Sequence, residues 1–147
     1  MVSFTILGTP HAKTRPRFAR LPSGSVRTYT EKTTTTYERR VALLCRSQTR
    51  GRKLAPVGTP VRVDILAIYP RPKRLNRSRD PDGQIQKCNR AGGDLDNHIK
   101  AILDGLNGSG IWEDDGQVAI IRAEAVIAGK TEQPRSCVSI FLPCEVA

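Results

Sequence analysis

Cysteine, histidine and aromatic side chains are scarce in this chain, and the first two shortages close functional classes. The 147 residues include 4 cysteines (Cys45, Cys88, Cys137, Cys144) and 2 histidines, with no CxxC spacing. A zinc finger or a disulfide framework therefore has little support in the spacing, and the cysteines are read as free thiols. No window approaches the ~18 consecutive apolar residues that a membrane-spanning helix needs. The stretch Met1 to Gly8 has neither a basic start nor an apolar run of useful length, so no signal peptide is expected and the cytoplasm is the expected location. What is present, 38% hydrophobic and 26% charged residues, is the make-up of a soluble folded domain. The length suits a single domain over 1–147.

A further shortage is local. Residues 1–90 carry 20 Lys or Arg against 5 Asp or Glu, whereas residues 91–147 carry 4 against 9. The chain is basic first and acidic later. Lys13, Arg15, Arg17 and Arg20 form one basic cluster, and Arg71, Lys73, Arg74, Arg77 and Arg79 form another in a stretch rich in proline. Such clusters suit a polyphosphate partner, and the weight of Arg over Lys favours phosphate, because a guanidinium fork grips two oxygens at once. A surface kept basic for solubility alone is the plain alternative.

Hydrophobic periodicity predicts strands and helices in alternation. Val2, Phe4 and Ile6 alternate with polar residues, giving a strand closed by Gly8, Thr9 and Pro10. An Arg- and Pro-rich loop follows. From about Thr30 to Arg50, Tyr37, Val41, Leu44 and Cys45 form one helical stripe, leaving Arg39, Arg40, Arg46 and Arg50 for solvent or ligand. Val61, Val63, Ile65, Ala67 and Tyr69 make a second strand before Pro70. Arg71 to Gly93 shows no period and reads as a long loop of the functional or mobile kind. Leu95, Ile99, Ile102, Leu103 and Leu106 mark a second helix ended by Asn107, Gly108 and Gly110. A strand from Gln117 to Ile127 is expected to bury Ala119, Ile121, Ala123, Ala125 and Ile127, and a last strand carries Val138, Ile140 and Leu142. The expected fold is α+β, in the order β-α-β-α-β-β, with a mixed sheet of about four strands and two packed helices.

The acidic part carries the chemistry. Asp94 and Asp96 flank Leu95 at the start of the second helix, where an N-cap and a favourable dipole contact would explain them without function. Glu113, Asp114 and Asp115 follow just after that helix ends, and a short connection can bring Asp115 near Asp94 and Asp96. Gathered carboxylates repel one another, so such a group is usually stabilised by a cation. All-oxygen ligands select Mg²⁺ or Mn²⁺. That cation beside a basic surface is what phosphodiester hydrolysis requires. Lys100, one turn after Asp96 and one before Asp104, is either a salt-bridge partner or the group that steadies a scissile phosphate or its attacking water.

The run Asp94-Leu-Asp96-Asn97-His-Ile-Lys100-Ala-Ile-Leu-Asp104-Gly-Leu, followed by Trp112-Glu-Asp-Asp115-Gly-Gln117-Val118, resembles the RusA family of Holliday junction resolvases. The family's pattern is D-x-D-N-x-x-K-x-x-x-D-x-L and then W-x-D-D-x-Q-V. The opening Gly8-Thr-Pro10, Lys13, Arg15-Pro16-Arg17-Phe18, Tyr29-Thr30 and Tyr37-Glu38 also looks like the start of members from phages and bacteria. The resemblance implies a homodimeric, Mg²⁺-dependent endonuclease that binds four-way DNA junctions by structure and nicks two strands symmetrically. The family's catalytic acids fall on Asp94, Asp96 and Asp115, the expected metal ligands, and its catalytic lysine on Lys100. Two positions depart from the pattern. Gly93 stands where members often carry a basic residue, so a nearby arginine such as Arg90 would supply that phosphate contact. His98 stands at a usually apolar position and is read as a partly exposed structural residue. Asn97 is read as orienting a carboxylate or capping the turn, and Asp104 as support for Lys100 or the fold. Trp112 is read as core.

The expected DNA-contacting set is Lys13, Arg15, Arg17, Arg71, Lys73, Arg74, Arg77, Arg79 and Arg90. Two other readings remain. A metal-dependent nuclease acting on flaps or RNA shares the site. A non-catalytic nucleic-acid-binding protein explains the charge but not the ordered carboxylates.

Overall fold

The computed structural model describes residues 1–142; Cys144 lies outside them, and Cys45, Cys88 and Cys137 are free thiols. The elements in chain order are β1 (Val2–Leu7), β2 (Arg17–Arg20), β3 (Val26–Tyr29), α1 (Lys32–Thr49), β4 (Val61–Tyr69), β5 (Ile85–Gln86), α2 (Leu95–Asn107), β6 (Val118–Ile127) and β7 (Arg135–Phe141). The α+β class, both helices and the mixed sheet agree with the sequence reading. The sheet has five strands in the order β1-β7-β4-β6-β5, with β4 and β6 parallel and every other pair antiparallel. Parallel neighbours need a long crossover, and the β4–β6 crossover is the segment that contains α2. The turn before β6 lies beside the side of α2 that carries Asn97, Lys100 and Asp104, whereas the very start of the helix lies beside Ala123, Glu124 and Ala125 of β6.

β4 is the middle strand and the most deeply buried, its Val61, Val63, Ile65 and Ala67 on the face toward the helices being fully buried and the alternate residues up to Leu66 partly so. Val63, Ile65 and Val61 join Phe4, Ile6, Val138 and Ile140 beneath the helices, where α1 supplies Val41 and Cys45 and α2 supplies Ile102 and Leu106. On the opposite face Ile68 closes a smaller cluster with Val126 and Ala128. The helices approach closely because Gly105 has no side chain. A Cβ there would stand 2.6 Å from Val41 Cβ and 2.8 Å from the Glu38 carbonyl. Arg46, one of the arginines left for solvent or ligand, donates instead to the Ser109 and Gly108 carbonyls past the end of α2.

Three expectations change. The Arg- and Pro-rich loop after β1 contains a separate two-stranded hairpin, with Arg17 opposite Tyr29 and Arg20 opposite Val26. Phe18, Val26 and Tyr29 are exposed on it, so it packs no core and left no one-sided pattern to read. The 71–93 segment is not structureless: it forms a 3-10 turn at Lys73–Leu75 and the short strand β5. In β6, Ala119 and Ile121 are exposed rather than buried, since β5 covers this strand only at Val126 and Ile127.

Candidate active site

Asp94 occupies the N-cap position of α2 in extended backbone, but its carboxylate accepts no capping hydrogen bond. Asp96 is exposed in the first turn. Asp115 opens the 3-10 turn Asp115–Gln117, whose cap is its neighbour: Asp114 Oδ1 accepts from the Gly116 N–H at 2.7 Å. That division separates two adjacent acids of like charge, Asp114 being structural and Asp115 free. The turn is clamped by Gln117, which donates to the Pro56 and Thr59 carbonyls and accepts from the Glu113 N–H, while Glu113 pairs with Lys53. Trp112 is core, its indole N–H donating to Asn107 Oδ1 at 2.6 Å. Among the described residues, Asp94, Asp96 and Asp115 have no salt-bridge partner and no side-chain hydrogen bond, and Lys100 has none either.

Two clefts border this region. One, of about 340 Å³, brings Asp115, Lys100 and Asn97 from the crossover together with Lys13 and Arg15 from the segment after β1. The other, of about 460 Å³, brings Asp94 beside Lys87, Arg90, Cys88 and Glu124. Asp96 lines neither. Among the described residues no three His, Cys, Asp or Glu side chains converge closely enough to hold a metal ion. The donors still suit a hard cation, being carboxylates that no internal cation neutralises. Magnesium in particular is ordinarily held by one or two carboxylates, with water and substrate phosphate completing its shell.

Gly93 explains its own departure from the motif. Its φ is +95°, and a Cβ there would meet Ala12 Cβ at 2.3 Å, so no side chain fits. Two basic residues, Arg90 and Lys87, line the cleft with Asp94. The Lys87 ammonium donates to the Gly93 and Asn89 carbonyls and lies 4.7 Å from the Tyr69 ring centroid. Lys87 was absent from the sequence-based set because only the fold of the 85–93 segment brings it to Asp94. Burial raises the Tyr69 hydroxyl pKa, and the Asp94 charge adds to the shift.

His98 is fully buried, which corrects the expectation of partial exposure. Its Nδ1 lies 2.8 Å from the His11 carbonyl, so that nitrogen carries the proton, and Nε2 accepts from Ser136 Oγ at 3.1 Å. Tyr37 in turn donates to Ser136 at 3.3 Å. Burial holds the His98 pKa below its ordinary value, and burial also pushes the Tyr37 hydroxyl up to about 12. His98 therefore ties α2 to β7 and to the segment after β1 as a neutral ring.

The basic set divides by how its charges are used. Arg15, Lys73, Arg74, Arg77, Arg79 and Arg90 are exposed. Arg17 is exposed and pairs with Glu31 at 2.5 Å. Arg71 is turned inward: its guanidinium donates to the carbonyls of Leu75, Pro81, Gly83 and Ala128 and so organises its own loop. Lys13 is engaged with Asp104 and Glu38, and the Asp104 hydrogen bond raises its pKa. Asp104 thus bonds Lys13, not Lys100.

The family model for endodeoxyribonuclease RusA matches residues 8–140. No curated protein matches the chain significantly.

Proposed function

Because the chain belongs to the RusA family of endodeoxyribonucleases, which cut junction DNA, we propose that it resolves four-way DNA junctions by Mg²⁺-dependent phosphodiester hydrolysis, with Mn²⁺ able to substitute. The observation that carries this reading is the cleft in which the unneutralised Asp115 meets the unpaired Lys100 and the exposed Arg15, with the unneutralised Asp94 in the adjoining cleft beside Arg90. With Asp115 and Asp94 so divided, one or two of Asp94, Asp96 and Asp115 would hold the cation, with water and substrate phosphate completing its shell. When bound, it supplies an acidified water and charge neutralisation at the phosphate. Lys100, one turn along α2 from Asp96, steadies the scissile phosphate as negative charge builds on its oxygens. Arg15, Arg17, Lys73, Arg74, Arg77, Arg79 and Arg90, joined by Lys87, hold the flanking phosphates. The fork of each arginine grips two oxygens without reading sequence, which suits recognition by shape.

Paired symmetric nicks need two active sites. One chain carries one such site, so the working form in this reading is a homodimer with the second site related by a two-fold axis. Its place of action is the cytoplasm of a bacterium or of a phage-infected cell. No helix among the described residues is long and apolar enough to cross a membrane.

The test is a cleavage panel of four-way junction, fork, linear duplex and RNA, each with Mg²⁺, Mn²⁺ or EDTA. Paired nicks confined to the junction and abolished by EDTA are expected. Preferential cutting of flaps or RNA would replace the junction specificity, and junction binding without cation-dependent cutting would replace the enzyme.

A further inference from the structure

Lys100 has a carboxylate one turn away on each side along α2, Asp96 before it and Asp104 after it. Either spacing permits an ion pair. Neither forms. Asp104 is taken by Lys13, from the segment between β1 and β2, and the same ammonium lies 3.5 Å from Glu38 Oε1 on α1. The Lys13 backbone N–H also donates to the Asn97 carbonyl at 2.9 Å, fixing the segment against α2 one turn before Lys100. The three side chains are 28%, 22% and 35% exposed for Lys13, Glu38 and Asp104, so two carboxylates face one ammonium in a half-buried setting. Glu38 Oε1 is buried and has no hydrogen-bond partner, leaving the Lys13 charge as its neutralisation. Lys13, Asp104, Lys100 and Asp115 line one cleft.

We propose that Lys13 is a positioning residue: by holding Asp104, it keeps the Lys100 ammonium unpaired and available to substrate in the cleft shared with Asp115. The inference rests on the reading that Lys100 works at the scissile phosphate, and it assigns Lys13 a task other than gripping DNA. Without Lys13, Asp104 turns to Lys100.

The test is single-turnover cleavage of a four-way junction at saturating protein, as a rate per folded molecule, for Lys13→Met, Lys13→Arg, the double variant Lys13→Met with Asp104→Asn, and Lys100→Met. Lys13→Met is expected to slow cleavage roughly two- to fivefold, the span over which a surface ion pair at this spacing competes for Lys100. The double variant is expected to regain most of the rate, because the competing carboxylate is gone, and Lys13→Arg to keep it. Junction affinity and its salt slope should stay unchanged in Lys13→Met. An unrescued double variant, or a salt slope lower by about one phosphate contact, would overturn the inference and leave Lys13 as a DNA contact or a fold element. Full activity in Lys13→Met would also overturn it. Normal cleavage by Lys100→Met would remove the Lys100 reading as well, so the two failures are distinct.

Discussion

Asp94, Asp96 and Asp115 lose no internal partner when neutralised, which separates their expected phenotype from that of a structural acid. Each single change to Asn is expected to cut cleavage by roughly 10²-fold or more while junction binding persists and the melting temperature holds. Loss of stability in step with loss of cleavage would mark that carboxylate as structural. His98 gives a pH dependence of opposite character. Its folded pKa is depressed by burial, so below its ordinary value of 6.5 the unfolded chain takes up a proton that the folded chain refuses. The associated stability is fully present above that value and is lost as pH falls below it. Urea midpoints at pH 7.5 and 5 should therefore diverge more for the native chain than for His98→Gln; equal divergence would clear His98 of the effect. The acids stood out in the sequence by their order and spacing, but the expectation that a short connection gathers all three is not met: Asp115 lies beside Lys100, Asp94 lines the neighbouring cleft and Asp96 lines neither. The buried His98 network was not legible, since its partners Ser136, Tyr37 and His11 come from three distant parts of the chain.

Elements were legible in proportion to how one-sided their burial is. α2 and β4 show their core faces plainly, whereas the β2–β3 hairpin is wet on both faces and β5 is only two residues long. The 71–93 loop hides a division of labour that charge counting misses. Arg71→Ala should destabilise by about 2 kcal/mol, as charged hydrogen bonds to loop carbonyls are lost. Neutralising Arg74 and Arg77 together should leave stability alone while weakening junction binding and flattening its salt slope by about two contacts. Filter binding across a salt series, beside thermal melts, checks both. An unchanged slope in the Arg74 and Arg77 double variant would take this loop off the DNA.

At the scale of the molecule, the basic excess of residues 1–90 and the acidic excess of residues 91–147 meet in the clefts around α2, because the segment after β1 folds back onto the crossover. Charge asymmetry along the chain was legible; its convergence needed the topology. The homodimer reading expects sedimentation at micromolar concentration to give twice the chain mass, with and without a junction. A monomer in both conditions would leave paired nicking without a second site.

The sheet order also sets when this protein can fold. Every pairing in the main sheet involves β6 or β7: β1 waits for β7, β4 for both, and β5 for β6. A chain emerging from the ribosome therefore holds no main-sheet ladder until synthesis has passed Gln117, and its first strand must then pair across almost the whole length, Val2 against Ile140. Such late, distant closure is slow, and it leaves β1 and β4 as unpaired apolar segments throughout translation. Nascent chains arrested at residue 117 should show no cooperative protection from protease, whereas arrest after residue 142, with the tunnel cleared by a linker, should restore it. Protection of the shorter chain would mean that the helices and the hairpin fold without the sheet.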